Sequence, residues 1–235
     1  MIPREGSRRE FIALAAGSAA GLVLTGGLST PSWAAEDAGQ AETGVSPAED
    51  LMREHGVLDR LLLVYDEVLR RIGAKEEPPT KELADTVALV KSFIHDYHEK
   101  LEERHVFPRF GKADTFIHLT AVLRTQHRAG ARLTERIREL TTDGSLADQA
   151  ARDEVSAAME SFKRMYQPHA AREDTVLFPA MHQVVDAAEY TQLGEQFEQE
   201  EEKLFGKDGF AKVVEQVAAI EQALGIDDLE SFTPK

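Results

Sequence analysis

His98-Glu99-Lys100-Leu101-Glu102-Glu103-Arg104-His105-Val106-Phe107-Pro108 and His169-Ala170-Ala171-Arg172-Glu173-Asp174-Thr175-Val176-Leu177-Phe178-Pro179 are one phrase written twice. Each reads as a histidine, a glutamate four residues on, a second acid, and a closing Phe-Pro. Residues four apart on a helix lie one turn apart and only about 40° around it, so each copy presents an imidazole and a carboxylate on one face. The flanking apolar residues recur at three and four, which turns that face inward. Two carboxylates and two imidazoles then meet inside the protein, and the rest of the chain has to be read as what brings them together.

Working outward, Ser46-Pro47-Ala48-Glu49 is a capping box with proline at the first helical position. The stripe Leu51, Met52, His55, Leu58, Leu62, Tyr65, Leu69 carries a helix from it to Gly73. After Glu76-Glu77-Pro78-Pro79-Thr80, a second stripe runs from Leu83 through Val87, Val90 and Ile94 to Leu101. A third helix starts near Asp114-Thr115 and ends at Thr141-Thr142-Asp143-Gly144, with His127 at its middle. The fourth follows Ser145-Leu146-Ala147-Asp148. Pro168 either ends it or bends it just before His169, and the continuing helical pattern favours a bend. Asp186 and Glu189 open an acidic helix that closes at Gly206, and Asp208 begins a last one that closes at Gly225. No alternating strand pattern of useful length occurs. Long helices with short connections lie antiparallel, so the expected fold is all-α: an up-down-up-down four-helix bundle over residues 47–187 with a C-terminal two-helix extension over 188–235. The matching order of the two halves suggests a duplicated helical hairpin.

Residues 1–34 have the layout of an export signal, with a charged start, a glycine-interrupted apolar run and Ser32-Trp33-Ala34 as a small-x-small cleavage site. Ser7-Arg8-Arg9-Glu10-Phe11-Ile12 closely resembles the twin-arginine consensus, which implies export of an already folded protein through the twin-arginine machinery to the periplasm or beyond. An uncleaved anchor is the alternative. Residues 35–46 then form a polar, unpatterned leader.

The 235 residues include no cysteine, which excludes disulfides, thiolate metal sites, iron–sulfur clusters and cysteine nucleophiles. A formal charge of −15 argues against nucleic acid and anionic membrane surfaces as partners. Any metal must be held by nitrogen and oxygen. Buried carboxylates without compensation would cost several kcal/mol or protonate, and a cation resolves that conflict. His55 and His127 occupy equivalent points of the two hairpins and extend the set to His55, His98, Glu102, His127, His169 and Glu173. These are too many ligands for one tetrahedral ion and suit two metals sharing carboxylates, iron first, with manganese or zinc as alternatives. His95 and Glu99 lie on the same face, His95 as a residue that holds a carboxylate and Glu99 as one candidate, beside water, for a remaining coordination position. Phe107-Pro108 and Phe178-Pro179 read as helix-end packing, and His105, His118 and His182 as solvent-facing.

Glu54-His55, the two copies of the phrase, and Gln126-His127-Arg128 resemble the hemerythrin-type HHE cation-binding domain over about residues 48–185. The resemblance implies a non-heme di-iron centre with those six residues as ligands and both glutamates bridging. Oxygen-carrying hemerythrins have a second histidine one turn after the third-helix ligand, and that position here is Ala131. The departure puts reversible oxygen transport in doubt. Three readings follow: a protein that binds or reacts with dioxygen, nitric oxide or peroxide as sensor, scavenger or store; a di-iron oxidase or peroxidase; or a metal buffer or zinc-stabilised bundle without redox chemistry. Ferritin-like oxidases use Glu-x-x-His, the reverse order at a different spacing, which counts against that fold.

Overall fold

A computed structural model describes residues 45–141 and 145–234. The signal and leader proposed for residues 1–46 lie almost wholly outside them. Helix α1 spans Pro47–Gly73 and buries Leu51, His55, Leu58, Leu62 and Tyr65. Helix α2 covers residues 80–112 as one helical path that changes pitch: α over Thr80–Leu89, π over Val90–His98, α over Glu99–Leu101, π over Glu102–Val106 and α over Phe107–Lys112. Helix α3 is Ile117–Leu140. It starts two residues later than the Asp114-Thr115 signal suggests, because Asp114 and Phe116 both take positive φ and turn the chain first.

Helix α4 is Gln149–Arg172, and it runs through Pro168 into a π segment, Glu173–Leu177, and a 3-10 turn, Pro179–Gln183. Termination at the proline is therefore excluded. Helix α5, Ala187–Phe205, opens as expected, with the Asp186 carboxylate accepting from the Glu189 N–H at 2.9 Å. Helix α6, Gly209–Leu224, closes on Gly225 at φ +73°, a left-handed terminus that glycine takes without steric cost. No strand occurs among the described residues.

The four long helices contact one another cyclically, α1 to α2, α2 to α3, α3 to α4 and α4 back to α1, with the α3/α4 pair the most extensive. This is the all-α bundle expected from the repeats. Helices α5 and α6 pack on the outer side of α1 and α2. They are fastened there by a two-point ion pair from Arg60 to Glu221 (2.9 and 2.5 Å) and by Arg104 and His105 to Glu200 (3.1 and 2.7 Å). The bundle interior is apolar at both ends and polar in the middle, where every buried charged side chain of α2 and α4 gathers: His95, His98, Glu99 and Glu102 from the one, His169 and Glu173 from the other.

Two of the π segments have a local cause. Proline has no N–H, and its ring collides with the carbonyl four residues back, so an α-helix cannot pass Pro108 or Pro179 unchanged. In both copies of the repeat the chain answers by widening the turn before the proline. The N–H of Phe107 bonds to the carbonyl of Glu102, and that of Phe178 to the carbonyl of Glu173 at 2.8 Å, each five residues back. The Glu103 carbonyl, which an α turn would have used, instead accepts from the Arg124 guanidinium of α3 at 3.0 Å.

Candidate metal centre

All six residues predicted from the sequence come together. His55, His98, His127 and His169 are at most 4% exposed, and Glu102 and Glu173 are fully buried. Two groups of ligand atoms lie within 4.8 Å of one another, Glu102, His127, His169 and Glu173 in the first, His55, His98 and Glu102 in the second. The His127 and His169 ring centroids are 5.0 Å apart, and those of His55 and His98 4.7 Å. In each ring Nε2 faces the central carboxylates. His169 Nε2 is 3.0 Å and His55 Nε2 3.4 Å from Glu173 Oε2, while His127 Nε2 is 3.3 Å from Glu102 Oε2 and His98 Nε2 4.0 Å from Glu102 Oε1.

Each outward Nδ1 is held by a residue of the repeat or of the helix beside it. His98 donates to Glu54 (2.8 Å) and His169 to the side-chain oxygen of Gln126 (2.9 Å), both within one hairpin. His55 donates to Asp174 (2.7 Å) and His127 to Glu103 (3.1 Å), both across to the other hairpin. The second acid of the phrase thus orients the opposite hairpin's histidine. Its phenylalanine does the same from the other side, Phe178 stacking on His55 (5.5 Å, 24°) and Phe107 on His127 (5.7 Å, 23°). Fixing Nδ1 as the donor leaves the Nε2 lone pair for a cation, the usual arrangement in histidine metal sites.

Electrostatics show what the cluster lacks. Burial pushes the Glu102 carboxyl up to about 7, with Glu173 across the site adding to the shift. Burial would raise Glu173 as well, but His169 and His55 hold it well below the usual carboxylate range. Burial would lower His55 and His127, yet Asp174 and Glu173 raise the first to about 10 and Glu102 and Glu103 raise the second to about 10. His98, with burial dominant, drops to about 4. His55 Nε2 and His98 Nε2 stand 3.0 Å apart. Both oxygens of Glu102, both of Glu173 and His127 Nε2 are nonetheless buried without an aligned hydrogen-bond partner. Such groups are costly unless compensated, and a cation among two carboxylates and four imidazoles compensates them. The residues fit a metal.

Beside this cluster Glu99 (3% exposed) accepts from His95 Nδ1 at 3.0 Å and from the Tyr166 hydroxyl at 2.6 Å through one oxygen, and His95 Nε2 meets Thr134 Oγ1 at 2.8 Å. His95 holds a carboxylate, as its helical phase suggests, and Glu99 stands outside both ligand groups. Tyr166 was not singled out by sequence reasoning, although it occupies in α4 the place of His95 in α2. Ala131 is exposed, so it does not face the site. The inward residue one turn beyond His127 is Gly130, where a Cβ would stand 2.0 Å from the Tyr166 oxygen, and the phenol takes that room. His118 and His182 are exposed as expected, and His105 is part-buried against Glu200.

A helical bundle that closes six histidine and glutamate side chains around unpartnered carboxylate oxygens is built to bind cations. The chain matches the family described as hemerythrin HHE cation binding domain over residues 46–181 and again over 118–231, and it belongs to that family. The second match takes in α5 and α6, which contain no histidine, so it does not bring a second such site. Uncharacterised proteins of Mycobacterium bovis and of two strains of Mycobacterium tuberculosis are each 47% identical to it over 195 residues, 83% of this chain and 76% of theirs. No solved structure matches the chain significantly.

Proposed function

We propose that this chain is an exported non-heme iron protein that holds two iron ions through His55, His98, Glu102, His127, His169 and Glu173 and binds or reacts with dioxygen, nitric oxide or peroxide. The observation that carries the reading is the unpartnered set of oxygens on Glu102 and Glu173 amid four oriented imidazoles. When bound, iron supplies one-electron redox chemistry and an open position for a small ligand. The protein's part is to neutralise charge with two carboxylates, to keep each Nε2 free by holding Nδ1, and to exclude bulk water with the Phe107 and Phe178 rings.

Export rests on Arg8-Arg9 in its resembling context, and no described helix is long and apolar enough to cross a membrane. The test of the centre is metal analysis of protein produced with both iron and zinc present, followed by visible spectra after anaerobic reduction and exposure to air or nitric oxide. About two irons per chain with a ligand-dependent spectrum is expected. Protein that takes up only zinc and shows no oxygen-dependent change overturns the redox reading and leaves a metal buffer. Turnover of peroxide with added reductant would make the same centre a peroxidase, and turnover of dioxygen an oxidase. Replacing Arg8 and Arg9 by lysine should retain the protein in the cytoplasm, and unchanged fractionation would remove the export proposal.

A further inference from the structure

The two ligand groups differ in how their negative charge is supplied. The four-residue group, Glu102, His127, His169 and Glu173, has two inner carboxylates, while the three-residue group, His55, His98 and Glu102, shares one of them and meets the other only through His55, 3.4 Å from Glu173 Oε2. The outer partners reverse this order. In the three-residue group both imidazoles lean on carboxylates, His55 on Asp174 and His98 on Glu54. In the four-residue group His127 leans on Glu103, but His169 leans on the neutral amide of Gln126, the residue that stands on α3 where Glu54 stands on α1. A carboxylate behind an imidazole makes it a stronger donor than an amide does.

Glu54 is also placed differently from the other acids in this role. Its side chain is fully buried, whereas those of Asp174 and Glu103 are 34% and 18% exposed. A carboxylate at that depth needs compensation, and the His98 ring 2.8 Å away supplies part of it. The two Nε2 atoms of the three-residue group stand 3.0 Å from each other, so this position has to open before it can take an ion. The four-residue group has no such contact and presents its carboxylate oxygens already unpartnered.

We infer that the two cation positions are inequivalent and fill in order, the four-residue group first and the three-residue group second, and that Glu54 is the positioning residue on which the second ion depends. This rests on the reading of the cluster as a two-metal centre. The order of loading follows from the inner carboxylates, and the asymmetry between Glu54 and Gln126 works against it, narrowing the gap between the two steps.

The experiment is a titration of the metal-free full chain with Co²⁺ in the absence of oxygen, following the ligand-field spectrum and the heat of binding. Wild type should bind two ions in two resolved steps. Glu54→Gln should leave the first step in place and weaken the second by about 10–100-fold. Asp174→Asn, which changes a partly exposed residue behind the other histidine of the same group, should also weaken only the second step and serves if the Glu54 variant does not fold. Gln126→Glu should tighten the first step and leave the second. A wild type that fills both positions in a single step, or variants of Glu54 and Asp174 that weaken the first step as much as the second, would overturn the ordering while leaving a two-metal centre intact. A wild type that binds no ion removes the two-metal reading itself.

Discussion

At the scale of the residue, each letter of the repeated phrase has a separate task. The histidine and glutamate face the centre, the second acid holds the opposite hairpin's imidazole through Nδ1, and the phenylalanine stacks on that same ring. His98→Ala or Glu102→Ala should lose metal and should destabilise the metal-free bundle less than the loaded one, because part of the loaded protein's stability is binding free energy. Melting curves with and without metal check this, and variants that keep full metal content and wild-type melting would refute the site. The histidines and glutamates were legible from spacing alone, since i and i+4 on an apolar stripe leave little choice of direction. The tasks of Glu103, Asp174, Phe107 and Phe178 were not, because each acts on a residue twenty or more positions away that no local pattern connects to it. Tyr166 escaped for a related reason: a tyrosine at a core position reads as packing until Glu99, on another helix, is seen to accept its hydroxyl proton.

At the scale of the element, the repeat is a device for changing helical pitch. A π turn stands immediately before Pro108 and Pro179 at the end of each copy, whereas Pro168 lies within an α stretch. The first π segment, Val90–His98, contains neither proline nor glycine, so nothing in its own sequence announces it. The close pairing of α3 and α4 has an identifiable contact at Gly130. Gly130→Ala would drive a methyl into the Tyr166 ring and hydroxyl, and overpacking of that kind costs about 1–3 kcal/mol. Chemical denaturation should show that loss, and adding Tyr166→Phe should recover part of it, since the nearest clashing atom is then gone. If the two substitutions add without coupling, the contact is not what holds the helices together there.

At the scale of the whole molecule, the bundle stores charge that a metal is expected to replace. His55 and His127 have pKa values raised to about 10 in the folded metal-free protein, against an ordinary value near 6.5 in the unfolded chain, so their contribution to stability is complete below about 6.5 and is lost as pH rises through about 10. His98, lowered to about 4, has the opposite sign, and its contribution is lost as pH falls from about 6.5 towards 4. The metal-free protein should therefore melt at its highest temperature between these limits. Metal uptake should release protons from His55 and His127, so apparent affinity should rise with pH up to about 10. Calorimetric titration in buffers of different ionisation enthalpy measures that release, and uptake without protons would mean the two imidazoles are neutral before binding. Helices α5 and α6 stand apart from this chemistry. They brace α1 and α2 from outside through Arg60, Glu221 and Glu200 and contribute no histidine.

The set of helices, their antiparallel order and the six inward-facing histidine and glutamate side chains are legible in the chain, because hydrophobic periodicity, capping residues and four-residue spacing are properties of one helix at a time. The repeated phrase made the site look like two equal halves. Helix packing breaks that equality, by setting Glu54 against Gln126, His95 against Tyr166 and Glu99 against Ala170 at matching places around one buried cluster. Those differences are visible in the chain as letters, but their effect depends on distances between helices, where the low dielectric of a shared interior lets a single carboxylate in place of an amide separate two otherwise similar positions.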